Sequence, residues 1–234
     1  MNAMNIAIIP ARGGSQRIPR KNIKHFLGKP MIAWSIEAAL RSDCFDHVWV
    51  STDDAEIAEV ALSYGAEVPF TRPLHLSDHH TPTIPVVAHA LEWAQAQGLV
   101  PTAVCCVYAT APMLQAADLQ EGLKTLRQHN CDYVFSATNY SFPIQRAFML
   151  KPHNFVEMFD PAHYQTRSQD LSQAYHDAGQ FYWGQPQAWM SQKPVFSNTA
   201  RAHLLPRHLV QDIDTPEDWT RAELICQHLL EPTH

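Results

Sequence analysis

The sequence predicts an α/β fold: a doubly wound, mostly parallel sheet carrying a small antiparallel insertion. Between residues 5 and 138, short apolar or β-branched runs alternate with amphipathic segments, the order expected of parallel strands joined by helices. Residues 102–109 form a near-continuous apolar run, as in the centre of such a sheet. Residues 139–200 are instead dense in aromatic residues and proline and contain no long helical pattern. This region is predicted to form short antiparallel strands.

Each element follows from its local pattern. Short β-branched or apolar runs predict buried strands, whereas apolar residues three to four positions apart predict helices that cover a sheet. The predicted strands are 5–10, 47–52, 102–109 and 132–138, with a short extended segment at 67–73. The predicted helices are 31–42, 55–65, 84–98 and 116–129, and residues 208–231 are predicted to form a strand, a turn and a last helix.

Length and composition favour one soluble globular domain. The chain has 234 residues, of which 46% are hydrophobic and 17% charged, and it shows no internal repeat or low-complexity linker. We therefore predict a single domain, 1–234, in which 139–200 is an inserted lid or dimerisation region. The formal net charge of −6 argues against a broad nucleic-acid or membrane surface, because both need a basic field.

No apolar run approaches the roughly 20 residues that cross a membrane, and the first ten residues lack the basic start of a signal peptide. A cytoplasmic protein is expected. The five cysteines are odd in number and show no CxxC spacing, which argues against a disulfide framework or structural zinc. Cys105 and Cys106 lie in an apolar run and are expected in the core.

A basic glycine loop, ARGGSQRIPRKN (11–22), follows the first predicted strand. It matches neither GxxxxGK[ST] nor GxGxxG. Backbone N–H groups in such a turn form an anion-binding concavity, and Arg12, Arg17 and Lys21 can add charged hydrogen bonds to phosphate oxygens. Because the net charge is negative, this local cluster indicates one small anion rather than a polyanion. The alternative is a solvated basic loop.

An acidic pair, Asp212 and Asp214, lies in the segment VQDIDTPEDW. On a strand, residues two apart project from one face, so both carboxylates are predicted to point the same way. Paired oxygen ligands suit Mg²⁺, which keeps several waters and bridges to substrate phosphates. Thr215 and Asp218 fit a capping box with Pro216 at the first helical position. The alternative for the pair is an ordinary acidic turn.

An aromatic stretch, QAYHDAGQFYWG (173–184), contains a glycine that permits a tight backbone and aromatic residues that alternate between strand faces. Core packing is expected for at least one face, while His176 and Asp177 are candidates for contact with a sugar. His79 and His80 are either metal ligands or part of an exposed polar loop. The residues alone thus indicate a Mg²⁺-using, nucleotide-binding α/β enzyme without naming a reaction.

Four segments resemble, in order, the cytidylyltransferases that activate nonulosonic acids, the CMP-sialic-acid-synthetase-like enzymes. The segments are IIPARGGSQRIPRKN, VSTDDAEIAEVALSYGAEVPFTRP, YATAP and DIDTPEDW, and the resemblance they carry extends over almost the whole chain, from residue 8 to residue 219. The resemblance implies a Rossmann-like nucleotidyltransferase sheet and transfer of CMP from CTP to a sugar acid. The anomeric hydroxyl attacks the α-phosphorus and pyrophosphate leaves in line. TRPLHLSDHHTPT, YATAP and QAYHDAGQFYWG look most like the members that act on pseudaminic acid.

The resemblance also implies roles for individual residues. Asp212 and Asp214 would hold Mg²⁺ against the triphosphate, and Arg12 and Lys21 would complete the catalytic group. Arg72 matches a position near the cytosine and ribose. The polar loop that closes over the base contains Thr81 and Thr83. The full nucleotide-binding set is Ala11, Arg12, Gly13, Gly14, Ser15, Arg17, Lys21, Asn22, Arg72, Thr81 and Thr83.

The chain departs from the family pattern at two places. Gln16 stands where the family has a lysine, so either Arg17 or Arg20 takes over the phosphate contact or the contact is weaker. Tyr108 and Leu114 stand where sialic-acid enzymes have a glutamine and an arginine. Such an apolar patch suits a deoxygenated sugar, because it leaves no buried polar group unpaired.

The sugar-binding candidates include two arginines of the insertion, Arg146 and Arg167, either of which can pair with the sugar carboxylate. Their alternative is a surface salt bridge. The full sugar-binding set is Tyr108, Arg146, Arg167, His176 and Tyr182. In relatives the insertion contributes to a dimer, so a homodimer is predicted. The resemblance further implies that the product feeds a bacterial surface glycan such as that on flagellin.

Three alternatives remain open from the sequence. The same reaction on legionaminic acid, sialic acid or Kdo is the nearest, and turnover of each sugar with CTP separates them. A non-catalytic nucleotide-sugar-binding module is the second, because Gln16 removes a family cation. An NAD-dependent oxidoreductase is disfavoured by the missing GxGxxG motif. No histidine stands out as a general base.

Overall fold

A computed structural model describes residues 3–230 and contains one central six-stranded sheet. Neighbouring strands are parallel except at β9, which is antiparallel to the strand on either side of it. The predicted α/β class with a mostly parallel sheet is confirmed. The strands lie side by side in the order β10 (Ala200–Leu204), β6 (Tyr133–Asn139), β9 (Tyr175–Gly184), β5 (Ala103–Val107), β1 (Asn5–Pro10) and β4 (His47–Ser51).

Helices and two small hairpins complete the described part of the chain. The helices are α1 (Met31–Arg41), α2 (Ala55–Ser63), α3 (Thr83–Ala96), α4 (Ala116–His129), α5 (Pro186–Met190) and α6 (Pro216–Leu230). The hairpins pair β2 (His25–Phe26) with β3 (Lys29–Pro30), and β7 (Phe148–Leu150) with β8 (Val156–Met158). Between residues 3 and 230, no helix has both the length and the apolar character needed to cross a membrane.

The core lies on both faces of the sheet because side chains alternate along each strand. Along β1, Ala7 and Ile9 pack in the cluster that includes residues of α1, α2 and α4, whereas Ile6 and Ile8 pack in the cluster that includes residues of α3 and α5. A third cluster joins Trp219 of α6 to other parts of the chain, and its ring lies 5.3 Å from that of Phe26. This contact brings the C-terminal helix against the region that follows β1.

The aromatic stretch at 173–184 is not part of a lid. It forms β9, which pairs with β5 and β6 in the middle of the main sheet, with Phe181 and Trp183 fully buried. A strand buried on both faces carries apolar residues at consecutive positions, so its aromatic density is core packing. The predicted insertion, 139–200, therefore extends too far. The segment outside the sheet, residues 140–174, is called the arm below.

Candidate active site

The basic loop is fixed by a hydrogen bond within it and by another to the residues that precede α2. Ala11 is fully buried, and the side-chain amide of Asn22 donates to the carbonyl oxygen of Arg12 at 3.0 Å. The backbone N–H of Gly13 donates to Asp53 Oδ1 at 3.0 Å. The amide of Gly13 is therefore already used, which removes one donor from the predicted anion-binding concavity.

Gly13 is required here by a close approach rather than by its backbone angles. A Cβ atom at this position would lie 2.5 Å from Asp54 Oδ2. Asp54 caps α2 by accepting from the N–H of Ile57 at 3.0 Å, and it also pairs with the guanidinium of Arg20. That hydrogen bond from Arg20 is the main cause that lowers the pKa of Asp54.

The two arginines considered as substitutes for the family lysine have different partners. Arg20 is bound by Asp54 and by Glu56, both at the start of α2. Arg17 lines the cavity described below and lies 3.0 Å from Asp214 Oδ1, with two thirds of its side chain exposed. Of the two, Arg17 is the one positioned to meet a phosphate.

Lys21 connects the basic loop to the acidic pair across most of the chain. Its Nζ donates to the carbonyl oxygen of Ile213 at 2.6 Å and lies 3.4 Å from Asp214 Oδ1. The structure therefore brings the two sequence-predicted motifs to one place. Cations from residues 12–21 face a carboxylate from the segment that precedes α6.

The acidic pair does not lie on a strand, and that prediction was wrong. Residues 210–214 pair with no strand, and the last strand of the sheet, β10, ends at Leu204. Loss of water around its carboxyl group, followed by the charge of Asp214, raises the pKa of Asp212. The predicted capping box is confirmed: the amide of Asp218 donates to Thr215 Oγ1 at 3.2 Å, and the amide of Thr215 donates to Asp218 Oδ2 at 2.8 Å.

Arg72 is a buried cation with neutral partners. It is 4% exposed, and its guanidinium donates to the hydroxyl and the carbonyl oxygen of Ser51. Burial, opposed by the charge of Asp53, lowers the pKa of Arg72 to about 10. No carboxylate in residues 3–230 forms a salt bridge with this arginine. A buried guanidinium facing a cavity in this way favours an anionic or strongly polar ligand.

A cavity of about 330 Å³ joins these groups at the edge where β1 and β5 end. Asp214 lies on one wall, and the helix start at Thr83 lies on another. Gly13 and Gly14 belong to the adjoining turn, and Asp212 lies two residues before the lining carboxylate. The predicted residues that line it are Arg12, Ser15, Arg17, Lys21, Asn22, Arg72, Thr81, Thr83, Tyr108 and Asp214.

A second cavity, of about 290 Å³, adjoins the first and is mostly apolar. Thr83 and Tyr108 line both cavities, and Tyr182 lines the second. The rest of its wall includes Trp189 and Phe196. A polar cavity next to a smaller apolar one can hold a ligand with one charged end and one less polar end.

Three of the predicted sugar-binding residues lie outside both cavities. His176 is on β9, where its ring packs 4.8 Å from that of Tyr140. Arg146 and Arg167 are exposed on the arm, and the guanidinium of Arg146 donates to the hydroxyl of Ser168 at 3.4 Å. A role for these three residues stays a prediction.

Several residues that line the first cavity are not in the nucleotide-binding set predicted from the sequence. Gln16, which stands where the family has a lysine, lines it directly. Asp78 accepts from the amide and the hydroxyl of Thr81, at 2.7 and 2.8 Å, and so shapes the polar loop. His79 lies at the exposed rim, and Thr110 follows β5. The DxxT spacing at 78–81 was the available signal, because aspartate commonly closes such turns.

Comparison with known proteins agrees with this arrangement. A family described as Cytidylyltransferase matches residues 6–229. The chain belongs to the cytidylyltransferase family. The match spans nearly all of the described fold, including the basic loop, both cavities and the acidic pair. The prediction that the chain is a nucleotidyltransferase is therefore confirmed.

Comparison with individual relatives shows which members of the family this cytidylyltransferase resembles. It is 50% identical over 221 residues to pseudaminic acid cytidylyltransferase of Campylobacter jejuni serotype O:2, covering 94% of this chain and 95% of that one. It is 29% identical to N-acylneuraminate cytidylyltransferase of Escherichia coli O18:K1:H7, covering 97% of this chain and 53% of that one. The solved structure of CMP:2-keto-3-deoxy-manno-octonic acid synthetase complexed with CTP shares the fold, with a TM-score of 0.71 at 19% identity, covering 97% of this chain and all of that one.

The residues present fit a divalent metal that is shared with a ligand. Within residues 3–230 no group of three or more His, Cys, Asp or Glu side chains is arranged to hold a metal alone. Asp214 lines the first cavity, and its charge contributes to the raised pKa of Asp212, two residues before it. Such local negative charge favours a cation, and two carboxylates suit Mg²⁺, which completes its shell with water and phosphate oxygens.

Proposed function

We propose that this cytidylyltransferase transfers CMP from CTP to pseudaminic acid and releases pyrophosphate. One observation carries the proposal: Lys21 joins the basic loop to the Asp214 segment at the mouth of a cavity that also contains a buried arginine. The 50% identity to an enzyme named for pseudaminic acid supports the choice of sugar. Tyr108, which stands where sialic-acid enzymes carry a glutamine, supports it independently.

The residues of the chain act mainly by binding and neutralising charge. Arg12, Arg17 and Lys21 bind the phosphates of CTP, and Arg72 binds deeper in the same cavity. As CTP enters, Arg17 and Lys21 exchange their contacts with Asp214 for phosphate oxygens. Asp212 and Asp214 would hold Mg²⁺, which when bound supplies Lewis acidity and further charge neutralisation for the triphosphate.

The sugar acid occupies the side of the cavity that opens toward Tyr108 and the apolar second cavity. Tyr182 and Phe196 line that second cavity. Because most of this wall is apolar, a sugar with few hydroxyl groups on one face leaves fewer polar groups unpaired there than a more hydroxylated sugar does. Either arginine of the arm, Arg146 or Arg167, remains a candidate partner for the sugar carboxylate.

The test is pyrophosphate release from CTP with Mg²⁺ in parallel reactions containing pseudaminic, legionaminic and sialic acids and Kdo. We expect release with pseudaminic acid at a kcat/KM at least tenfold above the other sugars. Equal or greater release with another sugar would reject the choice of substrate, and no release with any sugar would reject the reaction. Asp214→Asn is the matched control, because it removes a charge at nearly constant size and should abolish release that depends on the enzyme.

The proposal includes a homodimer formed through the arm. Several large apolar side chains of the arm are exposed, with Phe142 82% and Phe155 71% accessible. Contiguous exposed apolar surface commonly marks a protein interface. Light scattering should give twice the 26.5 kDa mass of the chain. A monomer at micromolar concentration would contradict this part.

We place the reaction in the cytoplasm, with a product that serves surface glycans such as those of flagellin.

A further inference from the structure

The segment that leads to the acidic pair has few connections to the rest of the fold. Residues 206–212 lie between β10 and α6, and no strand pairs with them. Among the hydrogen bonds of the described residues, one alone joins this segment to the central sheet. In that bond the side-chain amide of Gln180, on β9, donates to the carbonyl oxygen of Leu209 at 2.5 Å. Leu209 lies three residues before Asp212.

Asp212 is held less firmly than the second carboxylate of the pair. The backbone amide of Asp214 donates to Asp218 Oδ2 at 3.1 Å, which ties Asp214 to the start of α6. The carbonyl oxygen of Asp212 accepts from the side chain of Gln211 at 2.8 Å, but both residues belong to the weakly connected segment. The placement of Asp212 therefore depends on the bond that β9 provides.

Gln180 is buried with one of its polar atoms unpaired. It is 4% exposed, and its backbone amide donates to the hydroxyl of Ser136 at 3.2 Å. Because a carbonyl oxygen only accepts, the NH₂ group of the side chain must face Leu209. Its Oε1 is then buried without a partner within residues 3–230. A residue needed only for packing would not leave such an acceptor unpaired, because burying it lowers stability.

We propose that Gln180 is a positioning residue that acts through Leu209 and places the carboxylate of Asp212 for the complex of metal and nucleotide. Its bond fixes the carbonyl of Leu209 against the sheet and so sets the direction in which residues 210–212 continue. The inference deepens the proposed function and rests on it for the role of Asp212 toward Mg²⁺.

Gln180→Met tests this role, because it removes the donor at a similar side-chain length. It also removes the unpaired Oε1, so the gain and the loss in stability oppose each other. The melting temperature should stay within about 4 °C of the wild type. The affinity for CTP measured with Mg²⁺ should fall by about tenfold, the low end for a residue that orients a metal ligand from outside.

The measurement is calorimetric titration of the whole chain with CTP, without a sugar acid, once with Mg²⁺ and once with EDTA. The affinity in EDTA should be the same for Gln180→Met and the wild type, because Arg12, Arg17, Lys21 and Arg72 are unchanged. A general loss of structure would instead lower both affinities. The comparison therefore separates placement of the carboxylate from damage to the nucleotide site.

Thr138→Val provides the matched control. The hydroxyl of Thr138 donates to the carbonyl oxygen of Leu205 at 2.8 Å, so this variant also frees a backbone carbonyl after β10. Leu205 stays attached to the sheet, because its amide donates to the carbonyl oxygen of Ala137 at 2.8 Å. Thr138→Val should therefore leave both CTP affinities unchanged. Equal losses in the two variants, or no loss in Gln180→Met, would overturn the inference.

The same substitution in an Asp212→Asn background shows through which residue Gln180 acts. Gln180→Met should cause no further loss there, because two changes that act through one group are not additive. A further tenfold loss would overturn the inference. Where methionine prevents folding, Gln180→Asn replaces it with the same expected loss, because its side chain is too short to reach Leu209.

Failure of the proposed function would appear separately. Equal affinity of the wild type for CTP with Mg²⁺ and with EDTA would reject the metal site, and the role of Gln180 with it. A wrong choice of sugar would leave all of these affinities as expected and would show only in pyrophosphate release.

Discussion

Replacing Gly13 with alanine tests how closely the basic loop packs on α2. The added Cβ would lie 2.5 Å from Asp54 Oδ2 and 3.0 Å from its Cβ, closer than such atoms approach in proteins. Asp54 has little freedom to retreat, because it caps α2 through the amide of Ile57 and binds Arg20. Either the loop or the cap must therefore move.

The expected loss of unfolding free energy follows from these two movements, of the loop or of the cap. Inserting a methyl group into a closely packed site typically costs about 1–3 kcal/mol, and losing an N-cap side chain costs about 1 kcal/mol. Because partial movement of Asp54 relieves part of the clash, we expect Gly13→Ala to lower the free energy of unfolding by about 2–3 kcal/mol. For a chain of this size each kcal/mol shifts the melting temperature by about 2–4 °C, so the shift should be roughly 4–12 °C.

Gly14→Ala provides the matched control, because nothing lies within 4 Å of a Cβ at that position. Urea denaturation and thermal melting of both variants, without nucleotide, measure the difference. Gly14→Ala should remain within about 0.5 kcal/mol of the wild type, as is usual for a substitution without contacts. Equal destabilisation of the two variants, or an unchanged Gly13→Ala protein, would refute the packing argument.

Three further outcomes are expected. Gly122→Ala should destabilise the protein by about 1–3 kcal/mol in urea, despite the better helix propensity of alanine, because its Cβ would lie 2.8 Å from Trp183; a neutral result would contradict this. Arg17→Gln should raise the KM for CTP by about tenfold, whereas Arg20→Gln should chiefly lower the melting temperature; the reverse pattern would show that Arg20 binds phosphate. Because the pKa of Asp54 is lower in the folded chain than in the unfolded chain, its carboxylate stabilises the fold above pH 3.8, and this stabilisation is lost as the pH falls through the folded value. Asp54→Asn should therefore flatten the acid side of the plot of unfolding free energy against pH. Parallel plots for the variant and the wild type would contradict this.

Local chemistry was predictable because it depends on neighbours in the chain. The capping box at Thr215 and Asp218 follows from a spacing that places each side chain beside the other's amide. The strand at 5–10 and the glycine loop after it follow equally from short-range patterns. These features required no knowledge of the rest of the molecule.

The two structural predictions that were wrong, the lid at 173–184 and the strand at 210–214, share one cause: strand pairing depends on partners that lie far away in the chain. β9 mixes polar residues with the consecutive aromatic residues 181–183, and only its neighbours β5 and β6 show that it belongs to the sheet rather than to a lid. Residues 210–214 look extended in sequence, but they pair with no strand, and Ile213 is instead fully buried in the cluster that contains Phe26 and Trp219. An extended sequence pattern is therefore not sufficient evidence of a strand, because pairing depends on where the segment packs in the fold.

The sequence by itself determined which groups the protein can use: a basic loop after a buried strand, a pair of carboxylates before a capped helix, and an aromatic run. The tertiary structure decided which of these groups act together. Lys21 donates a hydrogen bond to Ile213, 192 positions away in the chain. Arg20 forms a salt bridge with Asp54, and the hydroxyl of Thr83 lies within hydrogen-bond distance of that of Tyr108. The physical reason is that charge and hydrogen-bonding capacity belong to a residue type, whereas their direction and partners depend on distances that only the packed sheet and helices set.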